Sequence, residues 1–172
     1  ALELRSMSGR AGIKWKTGIS GRTKKRLWKP LQNIPRVYIG VGNPGDSYKD
    51  IRHNVGRDWI DFFANKMNLE WSTNEKLECE LAYFNDGKML LVKPTRYMNM
   101  YGPAIAKLMN EMEVSIADCV LIHDCLFTKF GTWRHQRGNG SCGHPAVASI
   151  MEYCGHSFWR FRIGIGSPPR ME

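Results

Sequence analysis

The hydrophobic positions fall into short blocks with two different periods. Val37-Tyr-Ile-Gly-Val-Gly42 is a continuous apolar run ending in glycine, the pattern of a buried strand. Asn43-Pro-Gly-Asp-Ser47 follows as a turn. Residues 55–67 change period, and Trp59, Ile60, Phe63 and Met67 share one helical face. Cys79–Phe84 and Lys88–Val92 predict two strands of a hairpin joined through Asn85-Asp-Gly87. Pro103 suits the first turn of a helix, which continues through Ile105, Leu108, Met109 and Met112. Val120–His123 predicts another buried strand, and 145–154 a helix through Val147, Ile150, Met151 and Cys154. Finally Trp159, Phe161, Ile163 and Ile165 alternate with Arg160, Arg162 and Gly164, which predicts a half-buried strand. Strands alternating with helices place the chain in the α/β class: a single domain with a mixed β-sheet flanked by helices. There is no internal repeat. A length of 172 residues with 42% hydrophobic side chains suits one core, and no run approaches the ~20 apolar residues of a membrane span.

Charge divides the chain in two. The net charge is +9, and residues 1–36 hold ten of the 25 Lys and Arg but a single acid, Glu3. That segment carries the whole excess, and the remainder balances. Residues 1–36 show no sustained apolar period and read as a basic extended arm, with 37–172 as the folded domain. Lys24, Lys25, Arg26 and Lys29 form its densest cluster, suited to RNA phosphates. A solvated basic tail is the plainer alternative. Organelle-targeting peptides share this composition but are normally removed, so an RNA-binding tail explains the segment better. A mitochondrion or other organelle is expected over the cytoplasm, as the setting of such an RNA-bound protein. A start at Ala1 is expected of a processed, tagged or partial chain. Five scattered cysteines, odd in number and without a CxxC pair, read as reduced thiols of an intracellular protein, with no disulfide framework and no zinc site.

Reactive groups in α/β sheets gather where strands end. Asn43 follows the first strand, and Arg52-His53-Asn54 lies about ten residues on; His123-Asp124 ends the strand that starts at Val120. If those strands are neighbours, Asp124 can accept a hydrogen bond from one nitrogen of His53. That would set the tautomer and leave the other nitrogen to take a proton from water. No serine stands in a GxSxG elbow, and no cysteine has the surroundings of a nucleophile. By itself a His–Asp pair is more often structural than catalytic. Asn43 could serve only its turn, and Asn99 could cap the following helix. Tyr97 and Met98 read as core; His123, His135 and His156 read as structural or solvated.

Five blocks taken together are more specific. They are Gly40-Val-Gly-Asn-Pro-Gly45 with Tyr48 and Arg52-His-Asn-Val-Gly56; Lys93-Pro-Thr-Arg-Tyr-Met-Asn-Met-Tyr-Gly102; Leu121-Ile-His-Asp124; Gly140-Ser-Cys-Gly-His144; and Arg162-Ile-Gly-Ile-Gly-Ser-Pro-Pro169. In content, order and spacing this set resembles the bacterial-type peptidyl-tRNA hydrolases. The resemblance implies that fold, an esterase activity freeing peptide from tRNA, and no metal or other cofactor. It puts the catalytic base on His53 and the orienting acid on Asp124. It puts peptide binding on Asn43 and Asn99, with Tyr48 beside them. The implied partner is tRNA or peptidyl-tRNA. Ribosomal RNA and ribosomal proteins are further expected partners of residues 1–36, and no membrane is expected.

The pattern departs from the family at three places. The stretch after Asp124, Cys125-Leu-Phe-Thr-Lys-Phe-Gly131, lacks the family's acids and Pro-Pro-Gly turn, with Phe127 where a second acid would stand. Pro145 follows His144 where the family has an asparagine, and proline has neither a side-chain amide nor an N–H. The family's covering segment past the Gly-Ser-Pro-Pro region is not reached before Glu172, as expected either of a shortened protein or of a partial chain. Two readings follow: a peptidyl-tRNA hydrolase, or a weakened or inactive homologue serving as an RNA-binding component of an organellar ribosome or its assembly intermediate.

Overall fold

The computed structural model describes residues 36–138 and 140–167. The arm, with Lys24, Lys25, Arg26 and Lys29, lies outside the described residues. Arg36, counted with the arm on charge, is instead buried in the domain, its guanidinium 2.8 Å from Asp118.

Ten elements follow in chain order: β1 (Val37–Gly40), α1 (Val55–Lys66), β2 (Ser72–Asn74), β3 (Cys79–Phe84), β4 (Met89–Pro94), α2 (Tyr101–Met112), β5 (Cys119–Cys125), β6 (Trp133–Arg137), α3 (Pro145–Cys154) and β7 (Trp159–Gly164). Among the described residues the strands form one seven-stranded sheet in the order β2-β3-β4-β1-β5-β7-β6. β4, β1, β5 and β7 run parallel; β2, β3 and β6 join antiparallel. The α/β class with a mixed sheet therefore stands. The short β2 and the polar edge strand β6 carry no alternating signal, and sequence patterning passes over both.

Alternation along the strands sorts the core. Val37, Ile39, Leu90, Val92 and Leu121 pack on one side with α2 and α3, through Ile105, Leu108, Val147 and Ile150. Tyr38, Ala82 and Leu91 pack on the other side with Ile60, Phe63 and Ala64 of α1. Central β5 is buried along its whole length. The buried stripe of α1 is Gly56, Ile60 and Ala64, so the predicted face is displaced. Trp59 lies at the edge of the helix contact, stacked on Phe63 and against Phe161, and Met67 is exposed.

β7 reverses the expected parity. Its buried positions are Arg160, Arg162 and Gly164, while Trp159, Phe161 and Ile163 are half-buried. Phe161 finds partial cover from Trp59 and Trp133, and Trp159 from His135. Arg160 is tolerated inside because the carbonyls of Gly140 and Gly138 accept from its Nη1 and Nη2 at 2.9 and 2.6 Å. Two glycines set the close approaches that shape the site. A Cβ on Gly56 would stand 2.1 Å from the Ile122 carbonyl oxygen, so α1 begins hard against the end of β5. A Cβ on Gly102 would stand 2.3 Å from the Ser149 carbonyl oxygen, which locks α2 to α3.

Candidate active site

β1 and β5 are parallel neighbours in register Gly40 to Ile122, so their carboxyl ends open on the same edge of the sheet. There a cleft of about 420 Å³ forms between the loop after β1, the end of β5 and the loop before α3. Its walls include Asn43, Tyr48, His53, Asp124 and His144.

His53 stands in a short 3-10 turn, Arg52–Asn54, directly before α1. Because Gly56 lets the helix start against β5, the ring reaches the strand end, and Nδ1 lies 2.8 Å from Asp124 Oδ2. The hydrogen-bond network assigns the proton to Nδ1, leaving Nε2 as the outward nitrogen. The two side chains differ sharply in exposure: 59% for His53 and 3% for Asp124. Water reaches the imidazole while the carboxylate is shielded.

The other carboxylate oxygen is also taken. His144 Nε2 lies 2.8 Å from Asp124 Oδ1. Burial pushes the Asp124 carboxyl upward, but hydrogen bonds and charge interaction from His144 and then His53 outweigh it, and the net shift is downward. Asp124 is therefore an anion gripped on both oxygens. His123 stacks edge-on against His144 at 4.9 Å, and its Nδ1 donates to the Asp124 carbonyl at 2.6 Å. Burial and neighbouring His144 push His123 down to about 3, so this ring is neutral.

Asn43 is held by reciprocal bonds with Asn54: its N–H donates to Asn54 Oδ1 at 2.9 Å, and Asn54 Nδ2 donates to its carbonyl at 2.9 Å. Its Oδ1 accepts from the Met98 N–H at 3.0 Å, which orients the amide nitrogen as the remaining donor. A residue serving only a turn would not bridge to a segment 55 positions away. Fully buried Tyr101 ties the same loop, accepting from the Gly42 N–H at 3.2 Å and donating to the Gly42 carbonyl. Tyr48 lines the cleft, edge-on to Tyr97 at 6.0 Å. Asn99 is exposed in the turn Met98–Met100, outside the walls of this cleft. It does not cap α2, whose N-cap Met100 makes no side-chain capping bond. Met98 is buried as expected; Tyr97 is exposed, its ring partnered at the rim by Tyr48.

Pro145 opens α3 in its first turn with His144 as N-cap, and both line the cleft. Phe127 projects at the rim, 74% exposed. Sequence reading missed His144, whose signal is its place at the end of a glycine-rich block. It also gave no role to Asn54 and Tyr101, although both lie inside the motif blocks. One expectation is overturned: Cys125 does have unusual surroundings, since Arg162 Nη2 donates to its Sγ at 2.9 Å. The described cysteines are all free thiols. Among the described residues no three His, Cys, Asp or Glu side chains gather as a metal-holding set.

Fold and site together define a mixed α/β protein with a carboxylate-oriented imidazole at the carboxyl edge of its sheet. The sequence model of the peptidyl-tRNA hydrolase family matches residues 37–172. Peptidyl-tRNA hydrolase of Rickettsia africae is 38% identical over 134 residues, covering 77% of this chain and 72% of that protein. The Francisella tularensis protein of the same name is 39% identical over 136 residues, covering 77% and 71%. The crystal structure of peptidyl-tRNA hydrolase from Acinetobacter baumannii gives a TM-score of 0.76 at 29% identity, covering 82% of this chain and 72% of that one. The chain belongs to the peptidyl-tRNA hydrolase family.

Proposed function

We propose that the protein hydrolyses peptidyl-tRNA, cleaving the ester between the peptide and the 3′ ribose of tRNA, with His53 as general base. The observation that carries this reading is the exposed His53 ring held by buried Asp124 at 2.8 Å. Nδ1–H donates to the carboxylate, so Nε2 accepts a proton from water as that water attacks the ester carbonyl. The protonated ring then returns the proton to the departing ribose oxygen. Asp124 stabilises the imidazolium formed between these steps. Asn43 Nδ2, fixed by the Met98 bond, is placed to hold the peptide backbone or the developing oxyanion. Tyr48 and Asn99 are assigned to the peptide end on the same reading, Asn99 through its position beside Met98.

The inactive reading rests on Phe127, Pro145 and the basic arm; the 2.8 Å contact between His53 and Asp124 supports the enzyme reading. The basic arm, with Lys24, Lys25, Arg26 and Lys29, is assigned to RNA phosphates. An organellar translation system, with ribosomal RNA as a second ligand, is the setting this charge favours.

The test is peptide release from a purified peptidyl-tRNA by the wild type and His53→Ala. A general base accounts for about 10²–10⁴ in rate, so the variant should fall by that factor. Equal rates would refute the assignment. Deleting residues 1–35, which spares buried Arg36, should weaken tRNA binding and flatten its salt dependence; an unchanged salt slope would remove the arm from the interface.

A further inference from the structure

Cys125 closes β5 one residue beyond Asp124, and the proposed hydrolysis does not use its thiol. The residue lines the cleft and is 5% exposed. Across the strand pair, Arg162 Nη2 donates to Sγ at 2.9 Å. Arg162 is itself 8% exposed, and its other partner is the neutral Oε1 of Gln136 at 2.9 Å. Arg36, Arg57 and Arg96 each meet a carboxylate. Arg160 and Arg162 meet none among the described residues, and no acid occurs between Cys125 and Met151. A buried cation is stable only when an anion or several acceptors compensate it. Of the groups bonded to Arg162, only Cys125 can become an anion. Burial pushes this thiol up, while neighbouring Thr128 and the bonded Arg162 pull it further down, leaving it below the usual range.

A second feature is unused donor capacity in the same wall of the cleft. Arg160 and Arg162, both lining the cleft, each keep a buried Nε–H with no acceptor among the described residues. A single oxygen bonded to sulfur could accept from such donors.

We propose that Cys125 is a modification site, a thiolate paired with Arg162 that hydrogen peroxide oxidises to a sulfenic acid, and that this oxidation slows the adjoining hydrolytic site. The sulfur attacks one peroxide oxygen; the S–O bond forms as the O–O bond breaks. Hydroxide leaves and takes a proton from solvent to become water. Sulfur loses two electrons and the peroxide gains them. The negative charge opposite Arg162 is then lost or moved onto oxygen, one residue from Asp124. The effect on turnover rests on the hydrolase reading; the chemistry at sulfur does not.

The experiment uses the full chain and mass spectrometry. Iodoacetamide alkylation of Cys125, followed against pH, should reach half its limiting rate below the ~8.5 of an ordinary thiol. Arg162→Gln, checked for folding by circular dichroism, should move that midpoint upward. After peroxide, dimedone should label Cys125 in the wild type. Peroxide should also slow peptide release by about tenfold, a barrier change of about 1.4 kcal/mol. Dithiothreitol should restore the rate. Cys125→Ser, measured against its own untreated rate, should lose this sensitivity. A wild-type midpoint at or above ~8.5, or no dimedone adduct on Cys125, overturns the proposal without any variant. An adduct with an unchanged release rate overturns the coupling to the site. A protein with no hydrolytic activity that still forms the adduct separates failure of the hydrolase reading from failure of the thiolate.

Discussion

Gly56→Ala tests the link between packing and chemistry most directly. The added methyl would stand 2.1 Å from the Ile122 carbonyl oxygen and 2.8 Å from the Val41 carbonyl oxygen. Both obstacles are backbone, Ile122 in a strand paired on each side and Val41 directly after β1 with its N–H bonded to the Ile122 carbonyl, so neither can swing away. Non-bonded heavy atoms are comfortable near ~3.5 Å, so the first turn of α1 must retreat by on the order of 1 Å. Two terms compete. Alanine in a helix gains ~1 kcal/mol over glycine. Overpacking costs ~1–3 kcal/mol, and an immovable obstacle puts this case at the upper end. The balance is a loss of about 1–2 kcal/mol, which for a protein of this size lowers Tm by roughly 2–8 °C. The larger effect is on the site. The Arg57 N–H bonds the Val41 carbonyl at 3.0 Å, tying the helix start to the β1 end. His53 lies just before that turn, and its 2.8 Å bond to Asp124 cannot follow a 1 Å retreat unchanged. A misplacement of that size costs about 100-fold in rate. The assay pairs thermal unfolding with steady-state peptide release, and the loss should appear chiefly in kcat. Wild-type Tm and kcat in Gly56→Ala would refute the argument that this glycine positions the histidine.

The titration of Asp124 sets a pH dependence. Its folded carboxyl is held below its unfolded value, so its stabilisation is present at neutral pH and lost as pH falls through the folded pKa. The Tm gap between the wild type and Asp124→Asn should therefore be widest near neutrality and close below about pH 4; a constant gap down to pH 2 would contradict this. His144→Ala leaves Asp124 Oδ1 without its partner, at ~1–3 kcal/mol, so peptide release should fall about 10–100-fold while remaining above that of His53→Ala. Equal losses in the two variants would make His144 as necessary as the base. Arg160→Ala strips the partner from the Gly138 and Gly140 carbonyls and opens a cavity in β7. Urea unfolding should show a loss of ~3 kcal/mol or more, and a loss below ~1 kcal/mol would mean that the guanidinium is not holding the loop.

Much of the architecture is legible because it is local. The run Val37–Gly42 has no charged side chain to expose, and the 145–154 stripe can be buried only as a helix. The spacing of the five blocks carries the family, and with it the pair His53 and Asp124. Where local reading failed, neighbours decided. Alternation in 159–165 shows two faces but not which one is covered; β5 and the carbonyls of Gly138 and Gly140 put Arg160 inside. The stripe of α1 shifted to Gly56, Ile60 and Ala64 because the helix approaches the strand ends more closely than bulky side chains permit. Polar β6 pairs because β7 presents a free edge beside it.

His53 and Asp124 are 71 positions apart. The sequence alone determined that a histidine and an acid stand at strand-end loops, with glycines and asparagines around them. Chain distance does not report spatial distance, so the meeting of the pair, the capture of the second carboxylate oxygen by His144, and the pairing of Cys125 with Arg162 were decided by tertiary structure. The physical reason is strand order. Placing β5 between β1 and β7 brings the three loops to one edge, where the shielding of Asp124 makes the hydrogen bonds to its carboxylate stronger than the same bonds in water.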